Sequence, residues 1–480
     1  MSLKKKTVRN LQFVGTAQLL NIGLVQLGYL ILARMLTPDD FGLYAAVMVI
    51  FNLAVMVSVL GLDQAAIQSK DESEELLRTA ATFRMAMAII AVVVGLVAAP
   101  AVASFYDRPD MTGPLRVMLI AVLVSSAGFV STVRLSKALR FRELSISKIG
   151  NAVTWLPVGI AAAVLGLSYW SMILATLFAS MVALAVLWIY APWKIGFHID
   201  KEILAKLLHF GKYPAAIGFV VFLAFNLDKV VVGRFLGADM LGVYFLAFTW
   251  GTMVPSIFSN IVNNVMFPTY ATISHDIGLL SKGYLKTLTY LGYLSLPMGF
   301  GLAAISPVFV AAILGAKWTA AIGPLAVLSL VGTCSALTSP AGSLFLATGN
   351  PYLSWRQTAI TFVIYVVLLV PAAIYGGILG VSLLLLAITL ISVIWVLHMA
   401  SGLVNESLRT IGKLLWKPAF ASVAMAAIVY WSSTLVATDL VTLIALVALG
   451  VATYGAIVYA LNMKTFRNEA RSLVRLFLGR

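Results

Sequence analysis

Asp228 and Lys229 are the residues best placed to do chemistry, because they stand inside an apolar run that ordinarily excludes charge. The run covers about 211–233, and the pair precedes the Arg234 that ends it by five to six residues, about 8 Å at helical rise. Charges at such depth are costly and usually face a bundle interior or a wet cavity, where a lysine could receive an anionic head group. The plainer alternative is that Lys229 reaches the nearby lipid head groups along its aliphatic stem. Adjacent helix positions do not face each other, so Asp228 and Lys229 are not expected to be partners. A second set is neutral. Gln18, Asn21 and Gln26 fall close to one helical face, Asn52 lies in the next run, and Ser256, Ser259, Asn260, Asn263 and Asn264 precede Pro268. Amides suit sugar hydroxyls, and for any one of them bonding between helices is an equal explanation.

Other chemistry is missing. There is no G-x-x-x-x-G-K-[ST], so no P-loop for a nucleotide. The four histidines have no metal-ligand spacing, and the lone Cys334 cannot build a disulfide framework. No long loop carries paired carboxylates for acid–base work. The chain is therefore not read as an enzyme, and no catalytic residue, metal or cofactor is expected.

The elements that must hold these residues are membrane helices. The chain is 61% hydrophobic and only 11% charged, against roughly 25% in soluble domains. Its apolar runs recur near the ~20 residues that cross a bilayer, which predicts an all-α polytopic membrane protein of about fourteen spans. The first is at roughly 11–33 and the last at 440–461. Its basic start leads into an apolar segment without a small-residue cleavage site, so it reads as a span and not a signal peptide. The fifth and sixth spans divide at Gly166-Leu167-Ser168-Tyr169, the eleventh and twelfth at Tyr375-Gly376-Gly377. On this scheme 27 of the 33 Lys and Arg fall on the side holding the N-terminus, which the positive-inside rule makes the cytoplasm, with both termini there. The net charge of +15 thus belongs with anionic inner-leaflet lipids and not with nucleic acid.

The chain also repeats itself. Ile31–Tyr44 and Val231–Tyr244 share Arg34/Arg234, Leu36/Leu236, Asp39/Asp239, Gly42/Gly242 and Tyr44/Tyr244 at one offset. Gly113-Pro114-Leu115 and Gly323-Pro324-Leu325 open the fourth and tenth spans. The first pair of copies lies six spans apart, so both halves face the same way, as parallel repeats. The expected organisation is a six-span lobe at 1–191, a cytoplasmic linker helix at 192–212 with Asp200 as a candidate cap, and a second six-span lobe at 213–401. Two further spans follow at 402–461, then a basic amphipathic cytoplasmic tail at 462–480. Spans one, two, seven and eight could line a shared cleft.

Several stretches in order carry a resemblance. They are Leu32-Ala33-Arg34-Met35-Leu36-Thr37-Pro38-Asp39-Asp40-Phe41-Gly42-Leu43-Tyr44, Gly61-Leu62-Asp63-Gln64-Ala65-Ala66-Ile67-Gln68 and Leu139-Arg140-Phe141-Arg142. Asn226-Leu227-Asp228-Lys229, Leu236-Gly237 with Leu241-Gly242-Val243-Tyr244, and Leu314-Gly315-Ala316-Lys317-Trp318 continue it. The chain resembles the polysaccharide flippases of the multidrug/oligosaccharidyl-lipid/polysaccharide exporter superfamily, most of all the branch serving colanic and teichuronic acid-type polymers. The resemblance implies two six-helix lobes that turn a polyprenyl-pyrophosphate-linked oligosaccharide from the inner to the outer leaflet of a bacterial inner membrane. It implies a cationic cavity, for which Lys229 is the matching seventh-span residue, with Arg34 and Arg234 as further candidates. A polysaccharide polymerase and co-polymerase are the expected partners downstream. The competing readings are a drug or cation exporter of the same superfamily, a membrane polymerase, and a non-transporting scaffold of envelope assembly. The charge split predicts that reporters fused after Ala238, Ala316 and Asp439 report the periplasm, and those after Glu143, Lys201, Arg409 and Arg480 the cytoplasm. One reversed loop between concordant neighbours would break the parallel-repeat scheme.

Overall fold

The computed structural model describes residues 3–69, 71, 73–193 and 196–461, without the side chains of 3–14, 217, 254–261 and 263–265. The basic tail at 462–480 lies outside the described residues. Every regular element among the described residues is helical, as the bilayer demands of a chain that must satisfy its backbone polar groups internally. Eleven helices are long and apolar enough to cross a membrane. Two of these, α9 (Lys201–Ile273) and α12 (Pro351–Leu403), run through a residue off the helix, Gly237 and Gly377. The sequence leaves the first of these glycines in the gap at about 234–241 between spans seven and eight, and divides spans eleven and twelve at Tyr375-Gly376-Gly377, which includes the second. The fifth expected span, α7 (Phe141–Val164), is a helix whose Lys148, Asn151 and Pro157 keep it out of the eleven.

The chain divides into two compact units, Met1–Gly242 and Val243–Arg480. The first holds α1 (Leu3–Met35), α2 (Pro38–Val59), α3 (Leu62–Gln68), α4 (Glu74–Phe105), α5 (Thr112–Ala127), α6 (Phe129–Lys137), α7, α8 (Trp170–Tyr190) and α9 as far as Gly242. The turn between α1 and α2 is written in Thr37-Pro38-Asp39-Asp40. The Thr37 hydroxyl accepts from the Asp40 N–H at 3.2 Å, and the Asp40 carboxylate accepts from the Thr37 N–H at 2.8 Å. Pro38 fills a first-turn position that needs no N–H donor. α1 lies on α7 where Gly28 faces the Trp155 ring and Tyr29 meets that ring edge-on at 5.1 Å. Thr176 of α8 ties the group together: it accepts from the Trp155 indole N–H at 3.1 Å and stands 3.3 Å from the Tyr44 hydroxyl.

At the other end of α2 a second core joins Leu62, Ala65 and Ala66 of α3 to Leu77 of α4, Phe129 of α6 and Leu207 of α9. Arg84 is buried there beside Asp63, with its guanidinium 5.1 Å from the centroid of the Phe129 ring. Asp63 is the carboxylate that balances this buried cation. Asp200 caps α9 by accepting from the N–H groups of Glu202 and Ile203, both at 2.8 Å. From that cap α9 runs on without interruption into the apolar stretch that carries Lys229, so the expected linker helix and seventh span are one element.

In the second unit α10 (Ile277–Phe309), α11 (Ile322–Ala347) and α12 carry the core, with α13 (Leu408–Thr434) and α14 (Leu440–Leu461) set against α10 through Ala304, Val308, Met425, Val429 and Leu446. The Gly-Pro pairs behave alike in both halves, each near the start of a helix (α5 or α11) that follows a short 3₁₀ turn. α10 and α11 approach closely because Gly299 has no side chain. A Cβ there would fall on the Thr333 hydroxyl, which donates to the Ser295 carbonyl at 3.1 Å, while Ser329 donates to the Gly299 carbonyl at 3.0 Å. Gly299→Val is expected to force these helices apart at a cost of about 1–3 kcal/mol, typical of overpacking. A thermal shift in detergent checks this: an unchanged midpoint would show the contact to be slack.

Candidate functional site

Lys229 and Asp228 sit one after the other on α9 and are both buried, at 9% and 1% exposure. The Asp228 carboxylate accepts from the Lys229 backbone N–H at 2.9 Å, and the Lys229 ammonium stands 3.5 Å from the same Oδ1. The two are therefore partners, contrary to expectation. A short carboxylate can fold back onto the next N–H, and this brings it within reach of a lysine that also lies along the helix. The ammonium further donates to the Phe225 carbonyl, one turn toward the start of α9. Helical Cα–Cβ bonds tilt toward the N-terminus, so this is the natural course for the side chain. It carries the charge away from Arg234 and the bend at Gly237, the reverse of what reaching head groups beside Arg234 requires.

The amide candidates separate. Asn21 donates to the Lys148 carbonyl of α7 at 2.8 Å and so links helices. The Oε1 of Gln26 is buried with no hydrogen-bond partner among the described residues. Gln18 and Asn52 are exposed, and Asn52 stands near the middle of α2. The side chains of Asn260, Asn263 and Asn264 lie outside the described residues. Of the sequence candidates, the structure joins Asp228 to Lys229 directly and brings the two repeat copies together as follows.

The repeated turns meet each other. A Cβ on Gly42 would fall on the Ala238 carbonyl, and one on Gly242 would fall on the Pro38 carbonyl and 2.8 Å from the Gly42 nitrogen. Residue 42 touches position 238 and residue 242 touches position 38, a reciprocal contact at the repeat offset of two hundred. The loop after α4, Tyr106–Asp110, then grips both copies. Asp107 pairs with Arg234, whose guanidinium also lies 5.6 Å from the Phe105 ring centroid. Arg108 pairs with Asp39 and, at 2.8 Å, with Asp110. The Tyr106 ring occupies the space a side chain at Gly233 would need. The Asp110 carboxyl is held below the usual carboxylate range, chiefly by its hydrogen bonds from Arg108. A depressed carboxyl contributes stability above its unfolded value and loses it as pH falls through the folded one, so this pairing persists at neutral pH and weakens only in strong acid. The loop was missed in the sequence, although Asp107-Arg108-Pro109-Asp110 packs three charges into a chain that is 11% charged.

Arg34 and Arg234 are both exposed ends of apolar runs, but the Asp107 pairing belongs to Arg234. Arg234→Lys should be mild, and Arg234→Glu should lower membrane abundance by setting two carboxylates together. Adding Asp107→Arg should restore Arg234→Glu and do nothing for Arg34→Glu. Restoration of both, read by immunoblot of membranes, would show that the two arginines do equivalent jobs at their helix ends.

Comparison with known proteins agrees with this architecture. Residues 31–323 match the family model described as polysaccharide biosynthesis protein. The lipopolysaccharide biosynthesis protein WzxC of Escherichia coli K12 is 27% identical over 438 residues, covering 90% of this chain and 88% of its own. The teichuronic acid biosynthesis protein TuaB of Bacillus subtilis is 27% identical over 379 residues, 78% of each chain. The succinoglycan biosynthesis transport protein ExoT of Rhizobium meliloti is 25% identical over 386 residues, 78% of this chain and 76% of its own. Among solved structures, the lipid II flippase MurJ in an inward closed conformation superposes with a TM-score of 0.79 at 13% identity, over 94% of this chain and 98% of that one. An inward-facing multidrug resistance transporter of the MATE family gives 0.62 at 17% identity, over 80% and 96%. Sequence and fold converge: this chain is a multi-pass membrane protein that belongs to the polysaccharide biosynthesis protein family.

Proposed function

We propose that this protein turns a polyprenyl-pyrophosphate-linked oligosaccharide from the inner to the outer leaflet of a bacterial inner membrane, by alternating access. Its similarity to WzxC, TuaB and ExoT supports a part in building a surface polysaccharide, and its likeness in fold to MurJ supports the transporter architecture. The observation that carries the reading is the ammonium of Lys229. It is buried in a transmembrane helix and directed along α9 away from the bend at Gly237.

The physical difficulty is moving a charged and hydroxylated head group across ~30 Å of hydrocarbon. Desolvating the anion requires fixed partners, and a lysine supplies charge-assisted hydrogen bonds to phosphate oxygens. Asp228 holds the ammonium in place until an anion displaces it. Gln18, Gln26 and Asn52 offer amides to sugar hydroxyls, with Arg34 and Arg234 as cations at the outer end. Asn260, Asn263 and Asn264 would extend this set. The lipid tail has its own place. α10, α13 and α14 form a groove of about 500 Å³ that includes Leu294, Pro297, Gly301, Met425 and Leu446, mostly apolar and suited to a polyprenyl chain. The transporter would release its product to a polysaccharide polymerase and co-polymerase, with both of its own termini cytoplasmic among anionic lipids. A cation exporter would need an acidic group available to its cargo, and Asp228 is already committed to Lys229.

Lys229→Ala should abolish polymer export at wild-type abundance, and Lys229→Arg should retain appreciable function because charge is kept. Lys229→Gln keeps length and polarity but loses charge-assisted bonds worth ~1.5–3 kcal/mol each, so export should fall at least tenfold. Surface polymer in a strain lacking the native gene is the measurement, with abundance checked by blot. Near-normal polymer in the Gln variant would sink Lys229 as a substrate ligand.

A further inference from the structure

The loop between α3 and α4 carries a fixed charge that neither the transport site nor the repeat uses. Lys137 of α6 donates to the Ser69 carbonyl at 3.0 Å and to the Asp71 carbonyl at 2.9 Å, and the Asp71 N–H donates to the Ser69 hydroxyl at 3.2 Å. The Asp71 carboxylate accepts from the Ser73 N–H at 2.8 Å. Bonds from Ser73 above all, then the charges of Lys137 and Lys206, hold the Asp71 carboxyl below the usual carboxylate range. It is therefore ionised at neutral pH, in a loop stapled by an ammonium. Lys206, on the second turn of α9, lines the same cavity as Asp71, about 330 Å³ in volume. Leu76 and Leu207 are its buried floor, while Gln68, Asp71, Lys206 and Phe210 are exposed at its mouth. No ion pair joins Asp71 to Lys206 among the described residues, so the cavity keeps one charge of each sign apart. Its height is that of the head groups: Lys206 stands five residues, about 8 Å, before the apolar run of α9 begins at about 211.

We propose that this cavity is a binding site for a phospholipid whose head group carries both a phosphate and a primary ammonium, as phosphatidylethanolamine does. The phosphate meets Lys206, the ammonium meets Asp71, and the first acyl methylenes lie against Leu76, Leu207 and Phe210. The carboxylate is what makes the site selective. A lysine alone would take any phospholipid, since all carry the phosphate. A primary ammonium donates three hydrogen bonds, and Asp71 has lone pairs beyond those that Ser73 uses. A choline head group carries its charge behind methyls and donates none, and a glycerol head group brings no cation at all. The apolar floor favours the whole lipid over a free head group, because burying methylenes adds to the affinity. Bound there, the lipid bridges the α3–α4 loop to the start of α9 and braces that end of the helix. Such a site does not depend on the transport reading, because a resident lipid is not the cargo.

Native mass spectrometry of the purified full-length protein in detergent, with dioleoyl lipids of ethanolamine, choline and glycerol head groups in competition, tests this. The ethanolamine lipid should be retained about tenfold more than either of the others, the effect of one charge-assisted hydrogen bond. Asp71→Asn should abolish that preference while leaving binding itself, and Lys206→Gln should weaken all three lipids alike. Lys206→Arg keeps the charge and should keep the preference. Both positions are exposed, so the variants are expected to fold, and an unchanged thermal midpoint before lipid is added checks that they do. Equal retention of the three lipids by the unsubstituted protein, or a preference that survives Asp71→Asn, overturns the proposal. Soluble glycerophosphoethanolamine that displaces the lipid at equal concentration overturns it as well, by showing that the cavity takes a free head group. No polymer export is measured, so the outcome is independent of whether Lys229 binds the cargo.

Discussion

The contact on which the first unit depends is between two glycines and two carbonyls. Gly42 and Gly242 bring the start of α2 and the bend of α9 so close that any side chain would lodge in the facing backbone. Such proximity is available only where a Cβ is absent, and here the absence is repeated two hundred residues apart. The loop Tyr106–Asp110 can grip both turns because they are already together, with Asp107 taking Arg234 and Arg108 taking Asp39. Each ion pair is partly exposed and weak on its own. Together with the Tyr106 ring against Gly233 they define one corner of the molecule.

A second constraint is the cost of charge in lipid. The structure answers it differently at two depths. Arg84 is matched by Asp63 and by the face of Phe129. That is a fixed arrangement, with a buried cation neutralised where it stands. Lys229 stands 3.5 Å from a carboxylate that is itself engaged with the backbone, and donates to the Phe225 carbonyl of its own helix.

Much of this was legible in the residues themselves. Apolar runs of bilayer length announce membrane helices because lipid offers no hydrogen bonds to the backbone. Thr37-Pro38-Asp39-Asp40 specifies a helix start through local bonds among four neighbouring residues. Gly237 and Gly377 mark the bends of α9 and α12 because no other residue adopts their backbone angles without strain. The repeat, too, was visible as letters at one offset, and so was the oddity of a charge pair inside an apolar run.

Tertiary structure decided what the residues do to one another. That the two repeat copies touch could not be read from their likeness, since two similar turns can as well lie apart. Asp107 and Arg108 looked like ordinary loop charges, and only the approach of α2 and α9 made them a clasp. Asn21 became a link to α7 and Gln26 kept a buried oxygen with no partner among the described residues, although both lie on α1. The pairing of Asp228 with Lys229 turned on side-chain torsions that helical periodicity does not encode. Sequence determines local geometry through bonds between near neighbours; which distant groups meet is set by packing, where a missing methyl group can outweigh a charge.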